Sequence, residues 1–203
     1  MSTLIKTCGM FSFKDIEAVN AARPDLMGFV VNVPKSHRSV TPARAEQLRA
    51  QLAPGIRAVG VFVDEGPHVI ASMVRADAID MVQLHGHEDE NYLKYLRAIC
   101  DAPVIQAFKI ASEADVARAV SSSADVILLD NGCGTGERFD WSLLAGVTRP
   151  FILAGGLTPE AIPQAIAQLR PWAVDLSSGL ETNKVKDPNK IAAAVHAVRA
   201  CEG

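Results

Sequence analysis

Eight times along the chain a short apolar run rich in Val, Ile and Leu is followed by a longer stretch of helical periodicity, and this alternation limits the fold more than any other feature. The strand-like runs fall at 3–8, 27–32, 57–63, 79–84, 103–108, 125–129, 150–154 and 172–176. The helical patterns lie at 12–22, 41–52, 67–76, 88–99, 112–120, 139–146, 158–168 and 187–200. Thr41-Pro42, Thr158-Pro159 and Asp187-Pro188 each set a capping side chain before a proline at the first helical position. Strands alternating with helices form parallel βαβ units. Eight such units in 203 residues predict an α/β protein, a single (β/α)8 TIM barrel forming one domain over 1–203 and near the small end for that fold.

An open doubly wound sheet is the rival architecture. Asp130-Asn131-Gly132-Cys133-Gly134-Thr135-Gly136 resembles the glycine-rich cofactor loop of S-adenosylmethionine-dependent methyltransferases. The context opposes that reading. The next strand ends in Ala154-Gly155-Gly156 instead of an acidic residue for a ribose, only 67 residues follow Gly136, and Glu137 stands where the third glycine of a dinucleotide loop belongs.

A net charge of -3 without a basic cluster gives no electrostatic reason to expect nucleic acid or an anionic membrane as partner. Residues 1–7 lack the pattern of a secretory signal, and no apolar run is long enough to span a bilayer. The expectation is a cytoplasmic protein. Its four cysteines, Cys8, Cys100, Cys133 and Cys201, form no CxxC pair and no zinc-ligand spacing, so neither disulfides nor a metal site is expected.

In a barrel of this kind, the site lies at the carboxyl ends of the strands. The residues found there are Cys8, Asn32, Asp64, His85, Lys109, Asp130, Gly155, Asp175 and Ser177. A thiol after strand one and a carboxyl after strand six, facing a common pocket, suggest a base and an acid. Gly155-Gly156-Leu157 and Ser177-Ser178-Gly179 follow the last two strands, the usual phosphate position of this fold. Glycines let backbone N–H groups approach an anion, and small hydroxyls add donors without bulk. A small phosphorylated substrate is implied.

Several blocks then point to one family. They are Lys6-Thr7-Cys8-Gly9, Val59-Gly60-Val61-Phe62-Val63, Gln83-Leu84-His85-Gly86-His87-Glu88, Gly134-Thr135-Gly136 with Phe139-Asp140-Trp141, Ala154-Gly155-Gly156-Leu157, and Asp175-Leu176-Ser177-Ser178-Gly179-Leu180-Glu181 with Lys186-Asp187. In order and from end to end, the chain resembles the phosphoribosylanthranilate isomerases of tryptophan biosynthesis. The resemblance implies a barrel needing no metal or organic cofactor, monomeric or homodimeric. It also implies an Amadori rearrangement of N-(5-phosphoribosyl)anthranilate to 1-(2-carboxyphenylamino)-1-deoxyribulose 5-phosphate. By similarity Asp130 is the acid, Cys8 the base, and Arg38 the partner of the anthranilate carboxylate, which a planar guanidinium suits. Asp175 is placed to accept a hydrogen bond from the substrate amine or a sugar hydroxyl, and His85 is a further pocket candidate.

Both catalytic roles oppose the resting ionisation of these groups. A free thiol is only about 3% ionised at pH 7, and an ordinary aspartic acid about 0.1% protonated. Lys6, two residues before Cys8 and on the same strand face at roughly 6.6 Å, is expected to favour the thiolate, while burial or a nearby anion would have to keep a proton on Asp130. The chain departs from the family at His37 (usually proline), Ser39 (usually aromatic), Cys133 and Lys184 (usually glycines), all loop positions. Three other readings stay open. The related sugar isomerase of histidine biosynthesis uses Asp where Cys8 stands and is usually longer. A non-catalytic phosphate-binding barrel would have lost turnover, and a cysteine hydrolase would need a histidine beside the thiol.

Overall fold

A computed structural model describes residues 2–130 and 140–201. Eight parallel strands among them close into a barrel: β1 (Leu4–Cys8), β2 (Leu26–Val31), β3 (Arg57–Phe62), β4 (Met81–Leu84), β5 (Val104–Lys109), β6 (Val126–Asp130), β7 (Phe151–Leu153) and β8 (Ala173–Leu176). Neighbours pair in sequence order, and β1 pairs with both β2 and β8. A two-residue strand, Ser39–Val40, extends the parallel pairing beside Val30 and Val31. The α/β barrel expected from the alternation is therefore present.

The helices are α1 (Phe13–Ala22), α2 (Pro42–Arg49), α3 (Pro67–Arg75), α4 (Glu90–Ile99), α5 (Glu113–Ser121), α6 (Ile162–Leu169) and α7 (Pro188–Ala200). Their starts follow from side chains that satisfy otherwise orphaned amides. Ser12 and Asp15 form a reciprocal capping box at α1, Thr41 accepts from the Arg44 amide ahead of α2, and Asp187 accepts from the Asn189 amide ahead of α7. Two expectations are corrected here. The helix expected at 139–146 is only a 3-10 turn, Trp141–Leu144, capped by Asp140. Thr158-Pro159 starts another 3-10 turn, Pro159–Ala161, before α6 begins. The glycine-rich loop around Cys133, and Phe139 with it, lies outside the described residues.

Strand alternation divides the core in two. Ile5, Met27, Phe29, Phe62, Val82, Leu84, Ile127 and Leu129 face outward against the helices. Leu26, Val59, Met81, Ile105, Leu128, Ile152 and Ala173 fill the barrel interior. On the inward faces of β1, β4, β6 and β8, followed toward the carboxyl ends, apolar residues give way to polar ones: Leu4 to Lys6 and Cys8, Met81 to Gln83 and His85, Leu128 to Asp130, Ala173 to Asp175. The barrel floor is thus a packed apolar plug, and its mouth gathers polar and ionisable side chains.

Candidate active site

At that mouth is a cavity of about 270 Å³ lined by residues from most of the barrel's strand ends. Cys8, Arg38, His85, Asp130, Gly155, Gly156, Asp175, Ser177 and Ser178 all border it. Among the residues given a catalytic or substrate-binding role by sequence, Gly179 alone is missing from this wall. Gly179 lies behind the wall: a Cβ there would run into the Leu157 carbonyl oxygen, so its lack of a side chain serves close packing of the two loops. Gly155 and Gly156 both sit in the left-handed region, at φ +91° and +65°, which favours glycine. Val30, Val61 and Val63 supply an apolar wall, with Val30 and Val61 directly paired across β2 and β3. Asn32, Asp64 and Lys109 do not border this cavity. Asn32 donates to Glu65, and Asp64 accepts from His87.

The geometry around Cys8 begins with strand register. Lys6 of β1 lies directly opposite Asp175 of β8, and its ammonium reaches both carboxylate oxygens at 3.2 Å. Lys6 is fully buried and Asp175 nearly so. Taking these ions out of water costs several kcal/mol each, which their attraction at best offsets, so a buried pair of this kind is poor evidence for stability. Gly28, opposite Cys8 on β2, makes the space. A Cβ there would stand 2.7 Å from the Cys8 sulfur and 3.1 Å from the Lys6 nitrogen.

The expected thiolate is not what this arrangement favours. Burial pushes the Cys8 thiol above its ordinary range; the Lys6 cation pulls it down, and the Asp175 carboxylate pushes it up. The sequence spacing gave the right neighbour and the right direction for its pull, but it could not show that burial outweighs that pull, with Asp175 adding to the rise. For Lys6 itself, burial works against the ammonium, but Asp175 and Cys8 outweigh it and hold its affinity for a proton above the ordinary value.

Across the cavity, Gln83 Nε2 lies 2.9 Å from His85 Nδ1. With the amide nitrogen donating, His85 carries its proton on Nε2, which points to Asp130 Oδ2 at 4.0 Å. Desolvation at the barrel rim pushes His85 below its ordinary value, partly opposed by Asp130. His85 is therefore a neutral donor at pH 7, and its partners are Gln83 and Asp130 instead of the cysteine that a hydrolase would activate.

Arg38 arrives from the loop after β2, its stem lying over Gly9. A Cβ at Gly9 would be 2.5 Å from Arg38 Cδ, and the residue takes φ +78°. Sequence reasoning missed what holds the head of this side chain. Arg38 Nε and Nη2 donate to the two oxygens of Glu181, at 2.5 and 2.8 Å, and Lys186 reaches Glu181 Oε1 at 2.9 Å. Burial opposes the charge of Glu181, but hydrogen bonds from Arg38 and Lys186 prevail and hold the carboxyl down at about 2. Both residues stood in the quoted family blocks, yet only the pairing of Glu181–Thr182 with Val185–Lys186 as a hairpin brings them together. Among the described residues, no cluster of His, Cys, Asp or Glu could hold a metal ion.

Comparison with known proteins agrees with this geometry. The N-(5'phosphoribosyl)anthranilate (PRA) isomerase family pattern matches residues 5–197. An N-(5'-phosphoribosyl)anthranilate isomerase of Endomicrobium trichonymphae is 40% identical over 201 residues, covering 97% of this chain and 98% of that protein. The crystal structure of phosphoribosyl anthranilate isomerase from Thermotoga maritima superposes with a TM-score of 0.88 at 33% identity, covering 98% of this chain and all of that one. A crystal structure of such an isomerase in complex with reduced 1-(o-carboxyphenylamino)-1-deoxyribulose 5-phosphate gives a TM-score of 0.85 at 33% identity, with coverage of 98% and 100%.

Proposed function

The chain belongs to the N-(5'-phosphoribosyl)anthranilate isomerase family, and on that premise we propose a division of labour in its barrel mouth, with Asp130 as general acid and Cys8 as general base. The reaction is the aldose–ketose isomerisation of N-(5'-phosphoribosyl)anthranilate to 1-(2-carboxyphenylamino)-1-deoxyribulose 5-phosphate in tryptophan biosynthesis. The observation that carries the residue roles is the convergence of Cys8, Asp130 and the two glycine- and serine-bearing loops on one cavity.

Asp130 gives a proton to the furanose ring oxygen as the ring C–O bond breaks, and the aryl nitrogen lone pair closes onto carbon one to form an iminium ion. Cys8 then removes the hydrogen from carbon two, and those electrons neutralise the nitrogen, leaving an enolamine. Loss of the hydroxyl proton at carbon two and gain of one at carbon one complete the ketone. No electron leaves the substrate.

A thiol that burial keeps protonated must still act as a base. The substrate itself supplies the missing field, because ring opening places a positive charge on the iminium beside the sulfur; an opposite charge at close range favours the thiolate, so the thiol first gives its proton to solvent and the sulfur then takes the one from carbon two. Lys6 then positions the sulfur and moderates its desolvation. His85, its Nε2 facing Asp130 across 4.0 Å, is the neighbouring side chain that limits where the acid can lie, and Asp175 stands beside the reacting carbons as an acceptor for the amine or a sugar hydroxyl. Gly155, Gly156, Ser177 and Ser178 take the phosphate, with Gly179 permitting the close approach of the two loops. Arg38 takes the anthranilate carboxylate.

Turnover in heavy water separates the two roles. With Cys8→Ala, ring opening continues and can be trapped by reducing the iminium with borohydride, while the hydrogen on carbon two is retained. With Asp130→Asn neither the trapped amine nor the ketose accumulates. Loss of the carbon-two hydrogen from substrate incubated with Cys8→Ala would show that another group is the base.

A further inference from the structure

We propose that Glu181 determines the preference of this enzyme for an aryl amine bearing a carboxylate, by gripping one edge of the Arg38 guanidinium and leaving the remaining donors to the substrate. The proposal rests on the reading that Arg38 receives the anthranilate carboxylate. It assigns the selectivity to a residue that does not touch the cavity: Arg38 borders that space, and Glu181 is absent from its wall.

A guanidinium presents five N–H donors in a rigid plane. Glu181 takes the side edge, Nε and Nη2, so three donors, the two on Nη1 and the second on Nη2, stay unused by it. Two of those three, one on each terminal nitrogen, form the end edge, which matches a second carboxylate in the same plane. With its side edge held, the head of Arg38 cannot rotate about its last bond. The end edge is then fixed before the ligand arrives, and less freedom is lost on binding.

An arginine paired one-to-one with a carboxylate would have little charge left to offer, and Lys186 resolves that difficulty. Its fully buried ammonium sits 2.9 Å from Glu181 Oε1 and also donates to the Ser177 carbonyl at 2.9 Å. Two cations therefore share one anion, and the cluster keeps a net positive charge facing the substrate. The Lys6–Asp175 pair on the neighbouring strands has no such surplus.

The hairpin carrying both residues is itself pinned. Asn183 and Lys184 form its turn with φ of +53° and +63°, the backbone of a two-residue hairpin turn whose handedness matches strand twist. Thr182 donates to Asp187 at 2.8 Å, and Lys190 to the Glu181 carbonyl at 2.5 Å. His37 Nε2 lies 3.5 Å from Glu181 Oε2 on the opposite side. Glu181 is thus held at its backbone from α7, and at its carboxylate from its own hairpin and from the Arg38 loop.

The test uses two substrates made by condensing ribose 5-phosphate with anthranilate or with aniline, which lacks the carboxylate. The readout is the ratio of their kcat/KM values. In Glu181→Gln that ratio should fall about tenfold or more, through a raised KM for the anthranilate compound, with its kcat and the aniline compound's kcat/KM within about threefold of the parent; misplacing a positioning group by an ångström suffices for such losses. Arg38→Met serves as reference. If Arg38→Met leaves the ratio unchanged, the carboxylate is held elsewhere and the underlying reading fails. If Arg38→Met collapses the ratio while Glu181→Gln does not, or if Glu181→Gln depresses both substrates alike, Arg38 needs no clamp and the proposal is overturned. Glu181→Gln with Lys186→Met removes the fully buried ammonium together with its anion. It must reproduce the lost ratio, and it decides the matter should the single variant fail to show a cooperative melting transition.

Discussion

On the β1–β8 side of the mouth, Lys6, Cys8 and Asp175 are buried, and Glu181 and Lys186 behind them are buried too; across the cavity His85 and Asp130 keep 38% and 22% of their side-chain surface in solvent. The buried side is held by ion pairs at 2.5 to 3.2 Å, whereas His85 and Asp130 stand 4.0 Å apart. The contrast fits the two proton transfers proposed for Cys8 and Asp130. A base that takes hydrogen from carbon must be fixed in place, because carbon gives no strong hydrogen bond to guide it. An acid serving a sugar oxygen can be guided by the hydrogen bond it makes, and its contact with solvent lets it regain a proton between turnovers.

The sharpest way to break this comparison is to remove a charge from each side. Lys6→Met leaves Asp175 buried without its cation and should cost about 3–5 kcal/mol of unfolding free energy. His85→Asn, on the open side, should cost less than about 1 kcal/mol. Urea unfolding of both variants measures the difference, and equal losses would mean that the two sides are held alike.

Acid sharpens it next. The carboxyl of Glu181 is held at about 2 against an ordinary 4.5, so the unfolded chain binds the proton first. The stabilisation is complete above about pH 4.5 and is lost as pH falls toward about 2. The stability gap between the parent and Glu181→Gln should therefore be widest at neutral pH and should shrink across that interval, followed by chemical denaturation at a series of pH values. A gap independent of pH would remove the ionised clamp.

A smaller effect concerns the sulfur. Alkylation of Cys8 in the free enzyme, read by mass spectrometry of its peptide, should rise with a midpoint above that of free cysteine, since burial outweighs Lys6. Lys6→Met should move it higher still. A midpoint below that of free cysteine would restore the thiolate that the spacing of Lys6 and Cys8 alone suggests.

What the sequence disclosed and what it hid divide along contact range. Barrel strands and most helices follow from local periodicity and capping, and their expected limits fall within a few residues of those observed; β1, expected at 3–8, runs Leu4–Cys8. The region at 139–146 misled because Trp141, Leu143 and Leu144 have helical spacing, yet the segment makes only a single 3-10 turn. Strand ends are legible because local periodicity marks where each strand stops, so the positions of Cys8, Asp130, Asp175 and both loops around one cavity could be read in advance. Hidden were contacts created by closure. The Lys6–Asp175 pair spans 169 positions and the Arg38–Glu181 pair 143, and no local pattern announces either. Gly28 shows the same limit, its reason being a sulfur and an ammonium from the neighbouring strand.

Most direct is the disappearance of fluorescent N-(5'-phosphoribosyl)anthranilate, freshly generated and mixed with the purified parent, Cys8→Ala or Asp130→Asn. The parent should consume it rapidly, and each variant should be slower by about 10²–10⁴-fold in kcat, the range for loss of a general acid or base. Decay at one common rate in all three samples would contradict the pairing of Cys8 and Asp130 as base and acid.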